Sequence, residues 1–240
     1  MVYLVTDDQP NWFPHPAFAP ANGLLAVSHT LNPDRVALAY HSGIFPWETY
    51  GDPPLWHWFS PDPRCVLLPQ DFQPGRYLKA ALHKGTYQVR VDTVYEQVMR
   101  ACATVPRPRS SGESWIEEDM IEVYTLLHRR GYAHSFEAWL DGELVGGLYG
   151  LSYGRAFFGE SMFHHAPEAS RVAFAALVDF CLRNQFHFID CQVETPHILK
   201  FGAHNISRKV YLEKLREALR FPTIHKRWTD FQPGFQTSQP

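Results

Sequence analysis

Residues 133–163 read AHSFEAWLDGELVGGLYGLSYGRAFFGESMF. Strand-like runs flank Asp141-Gly142, a dipeptide that supplies the positive φ a tight hairpin needs, and a second turn signal falls at 152–155. This predicts three antiparallel strands in succession. Downstream, PEASRVAFAALVDFCLRNQ (167–185) places Val172, Ala173, Ala176, Leu177 and Phe180 on one helical face. HFIDCQV reads as a strand, TPHILKFGA as a short helix capped by Thr195, and SRKVYLEKLREAL as a helix, or a strand and helix, capped by Ser207.

Antiparallel strands, a helix, a strand and a further helix match an acetyltransferase-like (GNAT-like) order within the α+β class. Upstream of the hairpins, GRYLKAALHKG is a short helix carrying Arg76, Lys79, His83 and Lys84. TYQVRVD is a strand whose Asp92 is expected to cap TVYEQVMRACA. VPRPRSSGES (105–114) reads as a loop, and WIEEDMIEVYTLLHRRG as an amphipathic helix with Met120, Val123, Tyr124 and Leu127 on one stripe. The first 60 or so residues are dense in proline and aromatics. They predict a wrapped, turn-rich segment with one helix, begun by the cap Asn32 and Pro33 and ended by Gly43. The expected division is a small N-terminal domain (1–64), a GNAT-like domain (65–220) and an irregular, loosely ordered tail (221–240).

A net charge of −3 over 240 residues argues against an undirected polyanion binder and leaves room for a local basic patch. The four cysteines, Cys65, Cys102, Cys181 and Cys191, form no C-x-x-C pair and fit reduced thiols of a cytoplasmic protein. No secretion signal is legible at the start, and no run approaches the roughly 18 apolar residues a membrane helix needs.

Thirteen histidines raise the question of zinc, but His134, His164, His165, His197 and His204 show no ligand spacing, so no metal is expected. Ser161 in FGESMF lacks the second glycine of a nucleophile elbow. Acyl transfer from coenzyme A would need a backbone cradle for the pyrophosphate before the 167–185 helix. The junction MFHHAPEASR has no glycine there, and Pro167 removes a donor. Trp47, Trp56, Trp58 and Trp115, with Arg76, Lys79 and Lys84, would suit the end of a nucleic acid, or equally a solvated helix face beside aromatic packing. Asp190 and Gln192 share one face of a strand, with Glu160 on another. They read either as a site or as a buried structural carboxylate with its neighbours.

The motifs GLLAV, AYHSGIFPW, SPDPR, SWIEEDM, AHSFEAW, GGLYG, FFGESMF, ASR, IDCQVETPHILKFGA and YLEKL occur in this order. Together they resemble the leucyl/phenylalanyl-tRNA–protein transferase family from about Trp12 to Leu219. The resemblance implies transfer of Leu, Phe or, less well, Met from aminoacyl-tRNA to the α-amine of proteins beginning with Arg or Lys. The new N-terminus would mark them for degradation through an N-degron route. No cofactor is implied, since the aminoacyl-tRNA is a co-substrate, and a monomer suffices.

By the same resemblance, Trp47 and Trp115 hold the terminal adenosine. Leu148, Phe157, Phe174, Leu177 and Ile189, with Tyr124 nearby, receive the aminoacyl side chain. Glu160 meets the cationic side chain of the acceptor, Gln192 attends the attacking amine, and Asp190 orients Gln192. Arg76, Lys79 and Lys84 contact tRNA phosphates. Departures at SHTLNPDR, HWFS, QPGRYL and His164-His165 bear on acceptor preference and tRNA affinity. The competing readings are a related acyltransferase with another donor, and a non-catalytic module that binds a tRNA end or a degron.

Overall fold

The computed structural model describes residues 2–9, 11–104 and 115–235. The N-terminal segment runs β1 (Tyr3–Val5), β2 (Leu24–Ser28), α1 (Pro33–His41), β3 (Phe45–Tyr50) and β4 (Leu55–Phe59). Next come β5 (Arg64–Leu67), α2 (Arg76–Lys84), β6 (Gln88–Val91), α3 (Tyr95–Ala103), α4 (Glu118–Arg129), β7 (Ala133–Leu140), β8 (Glu143–Tyr153) and β9 (Ala156–His164). The chain continues with α5 (Ala169–Arg183), β10 (Phe188–Gln192), α6 (Pro196–Leu199), β11 (His204–Ile206) and α7 (Arg208–Ala218).

The expected hairpins are present: β7, β8 and β9 pair antiparallel in sequence order. After the α5 crossover, β10 returns parallel to β9, giving a mixed seven-stranded sheet of order β11-β5-β10-β9-β8-β7-β6. Alternation on these strands separates two apolar clusters. Phe158 and Phe188 face one with Tyr40, Tyr124 and Tyr211; Phe157 and Ile189 face the other, beneath α5. The fold is α+β.

The β8–β9 register runs Tyr149 opposite Ser161 and Gly150 opposite Gly159, so Glu160 is the extra residue of a bulge on β9, which re-aims its side chain. A Cβ at Gly150 would lie 2.1 Å from the Phe158 carbonyl oxygen, so the last residue of GGLYG has to be glycine.

Four expectations need correction. The N-terminal segment is not merely turn-rich: it forms a four-stranded sheet of order β1-β2-β4-β3. Pro46 is tolerated because β3 lies at its edge, where a missing N–H costs no ladder bond. Asp92 does not cap α3. It adopts φ 59° and turns inward, and Glu137 of β7 accepts instead from the Thr93 and Val94 N–H groups. Helix α5 begins at Ala169 because Glu168 is left-handed, with φ 67°.

The tail lacks regular structure, as expected, but is anchored where Trp228 and Pro233 are buried. Trp228 is 3% exposed, stacks on His134 at 3.4 Å and on Phe180 at 3.9 Å, and donates its backbone N–H to Asp92 Oδ2 at 2.7 Å. Trp228→Ala should therefore cost about 3 kcal/mol of stability, read as a shift in the urea midpoint. A change below about 0.5 kcal/mol would mean the tail is not anchored there. The expected loop at 105–114 lies outside the described residues.

Candidate active site

The polar centre lies where β10 leaves the sheet. Asp190 is fully buried, which demands compensation. Arg64 of β5 supplies it bidentately, Nε to Oδ1 at 2.9 Å and Nη2 to Oδ2 at 2.6 Å. Tyr211 Oη of α7 donates to Oδ2 at 2.7 Å, and the Gln192 backbone N–H donates to Oδ1 at 2.9 Å. The Arg64 guanidinium sits between the rings of Phe45 and Tyr211, 4.7 and 4.4 Å from their centroids. Burial opposes its charge, but the adjoining Asp190 carboxylate outweighs this and holds the guanidinium above its ordinary pKa.

Both carboxylate oxygens of Asp190 are thus occupied, and the group has no room for a substrate amine. Its reach to Gln192 runs through the backbone. Gln192 has φ 62°, a left-handed conformation that a non-glycine residue holds at a cost of about 1–3 kcal/mol. The Asp190–Gln192 bond and a register shift between these two residues accompany that conformation. Asp190 therefore reaches Gln192 by fixing its backbone.

Gln192 Nε2 donates to Glu160 Oε1 at 2.9 Å, and Tyr40 Oη donates to the same oxygen at 2.5 Å. Tyr124 and Tyr40 hydroxyls lie 2.9 Å apart. Because Tyr40 gives its proton to Glu160, Tyr124 must donate to Tyr40. Burial first, and then the Glu160 carboxylate, push both phenols well above their ordinary pKa, so both remain donors. Glu160 itself retains some solvent exposure. Desolvation dominates its titration: Tyr40 pulls the pKa down and Asp190 pushes it up, leaving it at about 8. Oε1 takes both hydrogen bonds, and Oε2 has no partner among the described residues.

The remaining expected residues fall into three places. Trp47 and Trp115 come together edge to face, centroids 6.5 Å apart and both partly buried, with Phe59 against Trp47 and a hydrogen bond from Thr49 to Glu117 linking the two segments. A base could stack on one ring and abut the other, whereas a parallel sandwich does not fit this geometry. Leu148, Phe157, Phe174, Leu177 and Ile189 are all buried in the cluster beneath α5, on the opposite face of β10 from Asp190. Tyr124 is buried behind Tyr40, so its influence on any ligand passes through Tyr40. Arg76, Lys79 and Lys84 are exposed on α2, which packs against α5. Among the described residues no His/Cys/Asp/Glu group is arranged to hold a metal ion, and no helix is long and apolar enough to cross a membrane.

Sequence reasoning missed Arg64, Tyr40 and Tyr211. Each stands in a quoted motif (SPDPR, AYHSGIFPW, YLEKL), but none has a local pattern that points to Asp190 or Glu160.

Residues 66–216 match the model of the leucyl/phenylalanyl-tRNA protein transferase domain, and residues 29–62 match that of the family's N-terminal domain. The chain is 49% identical to a leucyl/phenylalanyl-tRNA–protein transferase of Myxococcus xanthus, covering 95% of this chain and 97% of that protein. Proteins of the same name from Desulfatibacillum aliphaticivorans and Thermodesulfovibrio yellowstonii are each 48% identical. They cover 90% and 99% of this chain, and 92% and 95% of their own lengths. A GCN5-related N-acetyltransferase-like protein of Streptococcus suis aligns over 82% of this chain and 67% of its own at 12% identity. Its TM-score of 0.31 adds nothing to the strand order already described. With both domain models matched and near-complete coverage at almost half identity, the chain belongs to the leucyl/phenylalanyl-tRNA–protein transferase family and is an aminoacyltransferase.

Proposed function

We propose that the chain transfers Leu or Phe, and less well Met, from aminoacyl-tRNA to the α-amine of cytoplasmic proteins that begin with Arg or Lys. The products enter N-degron degradation, and the enzyme works as a monomer without a cofactor. The observation that carries this reading is the Tyr40–Glu160–Gln192 cluster with its carboxyl at about 8. A free α-amine titrates at roughly 7.7–8.0, so proton exchange with such a carboxyl is nearly thermoneutral.

In the step we propose, the neutral amine nitrogen attacks the ester carbonyl carbon. Glu160 Oε2 takes the amine proton, and Gln192 holds the approach geometry. Collapse forms the peptide bond, breaks the ester C–O bond, and returns the proton from Glu160 to the departing ribose oxygen. This moves Glu160 from a partner of the acceptor's cationic side chain to a partner of its amine, because a carboxyl largely neutral at pH 7 is a poor counter-ion. Trp47 and Trp115 would receive the terminal adenosine, and the apolar cluster containing Leu148, Phe157, Phe174, Leu177 and Ile189 would floor the side-chain pocket.

Labelled Leu-tRNA offered with peptides beginning Arg, Lys, Ala and acetyl-Arg tests the whole reading. Label should reach the first two only. Ester hydrolysis without peptide labelling would refute it. Arg76, Lys79 and Lys84 are proposed to neutralise tRNA phosphates. Replacing all three with Ala should weaken tRNA binding and flatten the slope of log K against log salt by up to about 0.9 for each phosphate no longer neutralised. An unchanged slope between about 50 and 200 mM salt would remove α2 from the tRNA interface.

A further inference from the structure

The Arg64–Asp190 ion pair joins β5 to β10 on one face of the sheet, and a pair of thiols joins the same two strands on the other. Cys65 follows Arg64, and Cys191 follows Asp190. The strand register runs Asp190 opposite Val66 and then Gln192 opposite Cys65, so Cys191 is the extra residue of a bulge. At a bulge two residues oppose one, which sets both Cys191 and Gln192 against Cys65. Cys191 Sγ donates to the Ile189 carbonyl oxygen at 3.8 Å, within its own strand. Both cysteine side chains pack in the apolar cluster that contains Ile189, Phe157 and Leu148. Cys65 is fully buried and Cys191 is partly exposed. Of the other two cysteines, both buried, Cys102 lies in the cluster on the opposite face, and Cys181 shares this cluster but stands on α5 rather than on β5 or β10.

We infer that Cys65 and Cys191 form an oxidisable dithiol, a modification site for a hydroperoxide, whose closure to a disulfide switches off aminoacyl transfer. Directly opposed residues of adjacent strands hold their Cβ atoms about 4.5–5.5 Å apart, and a disulfide needs about 3.5–4.5 Å. A local adjustment at the bulge is enough to close the bond. In the reaction the partly exposed Cys191 sulfur attacks one peroxide oxygen. The O–O bond breaks, the other oxygen leaves as water, and Cys191 becomes a sulfenic acid. The Cys65 sulfur then attacks the Cys191 sulfur, the S–O bond breaks, and a second water leaves. Two thiols and one hydrogen peroxide thus give one disulfide and two waters. The adjacent Cys191 holds the Cys65 thiol below its ordinary pKa and favours Cys65 as the resolving thiolate, whereas Cys65 first, and then burial, push the Cys191 thiol up, which makes the attack on peroxide the slow step.

The functional consequence rests on the proposed roles of Asp190 and Gln192. Closing the bulge moves the residue next to Gln192 and the residue next to Arg64 together. It therefore disturbs the left-handed Gln192 and its bond to Asp190, where displacement by about an ångström costs on the order of 10²-fold in rate.

The test uses the full chain, reduced, desalted and treated with hydrogen peroxide. Free thiols are then alkylated, and the protein is digested without reductant for mass mapping, with transfer from Leu-tRNA measured in parallel. The expected result is a linked Cys65–Cys191 peptide and transfer at least about tenfold lower, both reversed by dithiothreitol. Cys65→Ala and Cys191→Ser should each keep most of their own untreated rate after mild peroxide. Both thiols still alkylated, a disulfide through Cys102 or Cys181, or a Cys65–Cys191 bond with transfer unchanged would each overturn the inference. The peptide map needs no substrate, so an untreated chain that transfers nothing refutes the functional reading separately.

Discussion

Arg64→Met should destabilise the fold by about 3–5 kcal/mol and abolish most transfer. The substitution leaves Asp190 buried and charged, with the Tyr211 hydroxyl and one backbone N–H in place of a bidentate guanidinium. Urea unfolding measures the first effect, and single-turnover transfer the second. The informative partner is the double variant Arg64→Met/Asp190→Leu. A buried ion pair replaced by apolar groups of similar volume often loses little stability, so unfolding should return close to wild type. Transfer should stay down by roughly 10²-fold, because the Gln192 N–H no longer has the carboxylate that fixes its left-handed backbone. If the double variant transfers normally, Asp190 is a stabilising fixture and not a positioning group.

Glu160→Gln has the largest expected effect on chemistry, a loss of about 10²–10⁴-fold in transfer, the usual worth of a positioned proton acceptor. Binding of tRNA should not change, since the amide can still accept from Tyr40 and Gln192. The same variant has a stability signature with a definite sign. The folded pKa of Glu160, about 8, lies above the value near 4.3 of an unfolded glutamate. Between those values the folded state holds more protons than the unfolded one, so this group's contribution is complete at low pH and is lost as pH rises through about 8. Wild type should therefore lose stability relative to Glu160→Gln from about pH 5 to pH 8, with the gap constant beyond. Parallel stability curves across that range would mean that Glu160 is not held neutral.

How much of this was legible in the sequence depended on how local the determining interaction is. Asn32-Pro33, Asp141-Gly142, Thr195 and Ser207 act within three or four residues, and each marks an element boundary where expected. Asp190 and Gln192 were visible because charge and amide interrupt an apolar strand. Their partners were not. Arg64 lies 126 residues from Asp190, and Tyr40 lies 120 from Glu160. Neither spacing has a period to betray it. Trp228 sits in an aperiodic tail, yet its backbone N–H donates to Asp92 from 136 residues away. Asp92 has the residue type of a helix cap, but its burial beside His134 draws it inward, and a carboxylate from the neighbouring strand caps α3 in its place. The proline density of the first 60 residues read as turns, yet Pro46 lies in a strand, β3, at the edge of its sheet. Proline content describes what a segment cannot pair, not which side it leaves unpaired.

The proposed chemistry stands or falls on Glu160 taking the proton of the attacking amine. The decisive measurement is the single-turnover rate of Leu transfer to an Arg-initiated peptide, followed from about pH 6 to 9.5 in wild type and Glu160→Gln. The acceptor amine titrates identically in both reactions, so its contribution divides out. The ratio of wild-type to variant rate should climb with pH and level off above about 8, where Glu160 is ionised. A ratio flat across the range, or a variant as fast as wild type, would contradict that role and leave proton removal to solvent or to the tRNA itself.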